Sequence, residues 1–275
     1  MNFSHIINEI EKTDPEFLQK TDTRRESIKG FQRFAGKVAL ASLPLALGGL
    51  FKKSYGQSSG SGIIDVLNYA LTLEYLEAAF YQKGNDVANT LIPTPAARQA
   101  IATIGSHETA HVNFLKTAIT ATGGTPVSSP MFDFTAGGAF ADVFTNYTTF
   151  LAVAQTFEDT GVRAYKGQAG ALISNNDVLT AALNIHSVEA RHASHIRQMR
   201  KANNFGDVKP WITGKNSGIG EVVQASYNGE EITSQAGIEI TNINGFSISA
   251  NAASEAFDEP LSMTEVLNIV KPFIK

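Results

Sequence analysis

The feature that most constrains this chain is a duplication. "LEYLEAAFY" carries Glu74 and, seven residues on, Tyr81; "FEDTGVRAY" carries Glu158 and, seven on, Tyr165. After each comes a Glu-x-x-His pair: Glu108 and His111 in "HETAH", then Glu189 and His192 in "VEARH". The single glutamates are 84 residues apart and the pairs 81 apart, so one helix pair repeats the other. Around each motif apolar residues recur at i, i+3, i+4 and i+7, the pattern of helices sharing a core. The pattern predicts helices over about Ile63 to Lys83, Pro95 to Thr122, Phe140 to Gly170 and Asn175 to Asn203. Pro95 suits a first helical turn and Gly123-Gly124 a helix end. "TPVSSPMFDFTAGG" reads as the loop that crosses the bundle.

Helix geometry turns the spacing into chemistry. Residues three apart lie ~60° apart around the axis and one turn along it, so a Glu and a His can converge on one point. Residues seven apart are nearly eclipsed, which puts each Tyr on the face of its own Glu. Glu74 sits among Leu71, Leu73 and Leu76, and Glu158 follows Phe157. A lone carboxylate in such surroundings is very costly. Four carboxylates and two neutral imidazoles carry four negative charges, which two divalent cations cancel.

Composition removes the competing chemistries. There is no cysteine, which excludes disulfides, thiolate zinc sites, iron–sulfur clusters and cysteine nucleophiles. Any metal is left to imidazole and carboxylate, a donor set suited to iron, manganese or zinc. The formal charge is −4 and the body of the chain has no block of Lys and Arg, so no nucleic acid partner is expected.

The flanks read differently from the body. In residues 1–60 a basic stretch, "TDTRRESIKGFQRF", precedes the apolar "AGKVALASLPLALGGLF" and the Gly/Ser-rich "KKSYGQSSGSG", the order of an export signal. "TRRESIK" resembles the twin-arginine export motif, with Ser27 where an aromatic is usual. Export to the periplasm is the expectation, with transient membrane or translocase contact through this segment; a helix docked on the domain is the alternative. Residues 61–204 form the bundle, and residues 205–275 an appended lobe without a chemical motif. In that lobe "GIEITNINGFSIS" alternates around Asn244-Gly245, a hairpin signal. Ser262, three before Glu265, is a capping box that opens a last helix, which Pro272 should stop.

The order Glu, Glu-x-x-His, Glu, Glu-x-x-His resembles the ferritin-like superfamily of di-iron and di-manganese carboxylate proteins. Within it, "LTLEYLEAAFY" and "HSVEARHASHIR" are similar to the branch related to plant desiccation-related proteins. The resemblance implies a mainly α fold: an up-down four-helix bundle with a crossover, here with a C-terminal hairpin and helix. It implies two iron or manganese ions held by Glu74, Glu108, His111, Glu158, Glu189 and His192, with Glu108 and Glu189 bridging. Glu77, whose repeat partner is Gly161, reads as a polar partner near the site. Tyr81 and Tyr165 read as core aromatics or as supports of the ligands, and Asp159 and Arg191 as residues that orient them. His186 and His195 have no repeat copies, and His107, one before Glu108, points to another face; all three read as surface or supporting residues.

Two functions follow. A metal pair can carry a two-electron step with dioxygen or peroxide as the small substrate, in ferroxidase- or catalase-like chemistry. The other is a non-catalytic metal-binding stress protein of the cell envelope, in line with the desiccation-related resemblance. If residues 35–51 are retained as an anchor, a membrane-tethered module is a third.

Overall fold

The structure, a computed structural model, describes residues 61–243 and 245–275. The export-signal reading of residues 1–60 lies outside the described residues, as does Asn244. The four expected helices are α1 (Ser61–Asp86), α2 (Pro95–Ala121), α3 (Tyr147–Gln168) and α4 (Asn176–Ala202). Thr94 caps α2 by accepting from the Ala97 amide, with Pro95 in the first turn, and Asn175 caps α4 by accepting from the Val178 amide. Beyond α2 the chain turns through Gly123 at φ +84°, backbone that glycine adopts without strain.

The third helix starts at Tyr147 rather than at Phe140. Asn146 accepts from the Thr148 amide and donates to Asp142, which fixes a cap there and leaves residues 134–145 as turns. At the other end α3 tightens into a 3₁₀ turn, Ala169–Leu172.

α1 packs chiefly on α2, and α3 on α4. One end of the bundle is closed by aromatic rings. Phe80 stacks on Phe150 at 4.8 Å and meets Phe134 and Phe157 edge-on. Each such pair adds about 0.5–1.5 kcal/mol beyond its buried area. Gly84 leaves the room that the Phe150 ring needs, since a Cβ there would lie 2.5 Å from it. No helix among the described residues is long and apolar enough to cross a membrane.

The C-terminal lobe forms two small antiparallel hairpins where one was expected: β1 (Ser234–Gln235) with β2 (Ile238–Glu239), and β3 (Asn242–Ile243) with β4 (Phe246–Ser247). The second closes through Gly245. The last helix, α5 (Met263–Val270), has the capping box of Ser262 and Glu265 and ends before Pro272. The lobe is bolted to the bundle. Lys275 donates its amide to Met131 in the crossover loop, and Asp133 donates to Phe273. Arg163 of α3, 1% exposed, donates to the carbonyls of Ser226, Asn228 and Glu259 and pairs with Glu230 at 2.7 Å. Arg200 of α4 donates to the carbonyls of Phe205 and Gly218, both at 2.8 Å.

Candidate metal centre

All six motif residues turn inward and meet halfway along the bundle. Glu74, Glu108, Glu158 and Glu189 have no exposed surface, and His111 and His192 are buried. The donor atoms fall into two overlapping sets. Glu74, Glu108, His111 and Glu189 form one; Glu108, Glu158, Glu189 and His192 form the other. Within each set the atoms lie within 4.8 Å of one another. Donors bonded to one cation at ~2.1 Å stand at most ~4.2 Å apart, so a spacing within 4.8 Å needs only a small contraction for ligation. Glu108 and Glu189 belong to both sets.

The contacts are those of groups aimed at a common point rather than at each other. His111 Nδ1 lies 3.1 Å from Glu74, 3.0 Å from Glu108 and 3.1 Å from Glu189, three acceptors for one ring nitrogen. His192 Nδ1 lies 2.7 Å from Glu108, 3.3 Å from Glu158 and 3.8 Å from Glu189. Yet His192 Nδ1, Glu108 Oε1, Glu158 Oε2 and both Glu189 oxygens are buried without an aligned hydrogen bond. Buried polar atoms are nearly always satisfied. Five orphans in one cluster are what a cation would satisfy, so the residues present are compatible with metal binding.

Protons are strongly displaced here. Burial, helped by Glu189, pushes the Glu74 carboxyl up to about 8. Burial and the neighbouring glutamates hold Glu77 well above the carboxylate range, and burial raises Glu158 likewise. Burial opposes charge on the two imidazoles, but the surrounding carboxylates outweigh it. His111 is raised and His192 reaches about 12. For Glu189 burial works upward, but His111 and His192 win and lower it to about 2. Glu74, Glu158 and both imidazoles, all raised, favour their protonated forms in the absence of a cation.

The tyrosines bond the glutamates of the cluster, and they do so crosswise. Tyr81 of α1 donates to Glu158 of α3, and Tyr165 of α3 donates to Glu74 of α1. The seven-residue spacing put each on the face of its own Glu; the hydroxyl then reaches across the bundle to the Glu of the other half.

Glu77 is buried beside the centre, and the repeat explains how it fits. A Cβ on Gly161 would lie 3.3 Å from Glu77 and 3.6 Å from Glu189, so glycine at the equivalent position makes the room. Asp159 makes its hydrogen bonds away from the cluster. It is gripped by Arg197 through two hydrogen bonds, at 3.0 and 2.6 Å, and accepts from Tyr227 of the C-terminal lobe at 2.7 Å. Arg191 is exposed, because a position one residue before His192 points ~100° away from it around the helix. The arginine that matters is Arg197, on the inner face.

His107 was read as a surface or supporting residue; it touches the centre from outside. Its Nδ1 is 2.9 Å from Nε2 of His192, and the rings stack with centroids 5.2 Å apart. Such a bond to the outer nitrogen of a ligating imidazole fixes its ring and tautomer. His186 donates to the Val162 carbonyl at 3.0 Å and His195 is exposed, so neither joins the cluster.

The ferritin-like domain family model matches residues 62–202, just over half of the chain and the whole of the bundle. Comparison with curated proteins and with solved structures returned no match. A mainly helical bundle, a buried cluster of glutamates and histidines compatible with metal binding, and this match agree: the chain belongs to the ferritin-like domain family.

Proposed function

We propose that the protein is a dimetal-carboxylate oxidoreductase that holds two iron or manganese ions and acts on dioxygen or peroxide. The observation that carries this reading is the pair of donor sets sharing Glu108 and Glu189, with five buried donor atoms left without hydrogen bonds. When bound, the ions supply Lewis acidity and a two-electron change of oxidation state. The chain does the rest. Glu108 and Glu189 would help hold both ions, since each belongs to both donor sets. Tyr81 and Tyr165, kept protonated by burial far above their ordinary range, hold Glu158 and Glu74 in orientation as hydroxyl donors. His107 steadies His192. The Phe80 ring cluster excludes water from one end. Anaerobic loading with ferrous iron followed by oxygen should give a transient near-ultraviolet or visible band; loaded protein inert to both oxygen and peroxide would refute the reading.

A second reading, a non-catalytic metal-binding stress protein of the envelope, is favoured by one observation. None of the four ligating glutamates has exposed surface, as in closed structural sites. It predicts loaded protein that neither oxygen nor peroxide changes. Export through residues 1–60 would suit either, since a twin-arginine route carries folded proteins with metal in place. N-terminal sequencing of periplasmic material tests it, with cleavage near residue 57 expected.

A further inference from the structure

Between the starts of α1 and α4 and the ends of α2 and α3 the packing leaves a cavity of about 20 Å³. Each of the four helices turns an alanine into it: Ala70, Ala118, Ala164 and Ala182. Roughly 10–15 Å³ suffices for one water, so the space takes a single small molecule and no organic chain. Its wall is almost wholly hydrocarbon. That wall comes close to the buried cluster. Leu73 precedes Glu74, Leu115 is one turn beyond His111 and Ile185 one turn before Glu189, so about one helical turn, ~5.4 Å along the axis, separates it from the donors. Tyr165, which bonds Glu74, also lines it.

Size and polarity together select the occupant. A water needs two to four polar partners, and this wall offers next to none. Hydrogen peroxide is small enough, but it would bring two hydroxyls into hydrocarbon, each unpaired group lowering occupancy about tenfold. Dioxygen is about as wide as a water and longer by one bond. It has no hydrogen bonds to lose, and the alanine walls give it dispersion contacts on all sides. Apolar voids of this kind stay dry and take up apolar gases. We propose that the cavity is a dioxygen pocket: it takes one dioxygen from solution, excludes peroxide, and holds the gas about one helical turn from the glutamates and histidines. The four alanines keep it open, since a larger apolar side chain at any of them would fill it. As the supply of oxidant to the metal centre this rests on the redox reading above, for which it selects dioxygen; as a gas-binding site it stands without it.

The test is methyl proton relaxation in the metal-free full chain under dioxygen and under nitrogen at equal pressure, because paramagnetic dioxygen speeds the relaxation of protons it touches. The methyls of Leu73, Leu115, Ala118 and Ile185 should gain at least about threefold more than those of Leu151 and Val153, which are buried near the start of α3. Ala118→Val and Ala70→Val, on different helices, each add two methyl groups to a space for one small molecule. Each should bring the remaining lining methyls to within about twofold of Leu151 and Val153. Loaded with ferrous iron, both variants should react with dioxygen at least about threefold more slowly than the parent, and with peroxide at the parent rate. The proposal is overturned if dioxygen relaxes all buried methyls of the parent alike, if the folded variants keep the enhancement, or if peroxide is slowed as much as dioxygen. Enhancement at the cavity without oxidation of ferrous iron would keep the pocket and sink the redox reading. Oxidation by dioxygen without enhancement would sink the pocket and keep the redox reading.

Discussion

Replacing Glu74 by Gln should stabilise the metal-free protein while it weakens the metal site. The Glu74 carboxyl has an ordinary value of 4.5 and stands at about 8 in the fold, raised first by burial and then by Glu189. A carboxyl raised on folding leaves stability untouched below the unfolded value and removes it as pH climbs towards the folded one. At pH 7 that penalty comes to about 3 kcal/mol, and by pH 8 it approaches about 5 kcal/mol. At pH 5 it is below about 1 kcal/mol. Gln keeps an oxygen for the Tyr165 hydroxyl and cannot ionise. Urea unfolding of metal-free parent and variant should therefore show nearly equal stability at pH 5 and a variant more stable by about 3 kcal/mol at pH 7. The same variant should bind metal at least tenfold more weakly. A gain that does not grow between pH 5 and 8, or a variant less stable than the parent throughout, would refute the claim that the glutamates are strained without cations.

Metal loading at pH 7 should release protons, because Glu74, Glu158 and both imidazoles hold them in the metal-free cluster. Affinity should fall as pH drops from 8 to 6, and calorimetry in buffers of different ionisation heat counts the protons; affinity constant over that range would contradict the assignment. Tyr165→Phe should lower metal affinity about 10–100-fold by freeing Glu74, read by competition with a chelator, although Tyr165 lies on the other half of the repeat. Arg197→Ala leaves Asp159 buried without its cation and should cost about 3–5 kcal/mol in urea unfolding, whereas replacing both by apolar residues should cost far less. Gly167→Ala would put a Cβ 1.9 Å from the Leu261 carbonyl, so the C-terminal lobe should become open to trypsin while the bundle stays helical by circular dichroism.

The inward-facing glutamates and histidines were legible because a duplicated spacing shows which residues share a face, and helix geometry turns a shared face into convergence. The family match spans all of these residues. Spacing along one helix is silent about partners on another. That is why Tyr81 and Tyr165 could be placed on the right face yet not matched with the glutamates they bond. For the same reason Arg191, two residues from Glu189, looked more relevant than Arg197, which Asp159 actually meets. His107 has no repeat copy; the equivalent position in α4 is Val188, so the duplication that marks the six buried motif residues hides a residue that serves one half only. Phe140, Val143 and Phe144 extend the helical apolar spacing ahead of α3, whereas Asp142 and Asn146 spend their side chains on turns and a cap, so the helix starts later than the spacing predicts. Much of the lobe's attachment is written in the bundle, in Arg163 and Arg200, which donate to lobe carbonyls that any residue could supply; from the lobe, Glu230 pairs with Arg163 and Tyr227 donates to Asp159.

Metal stoichiometry tests the central claim most directly. Protein loaded with ferrous iron or manganese(II), desalted and analysed by mass spectrometry should hold two ions per chain. Glu108→Ala and Glu189→Ala, which each strip a ligand from both donor sets, should lose both ions together. A parent that holds none, or variants that still hold two, would contradict the account.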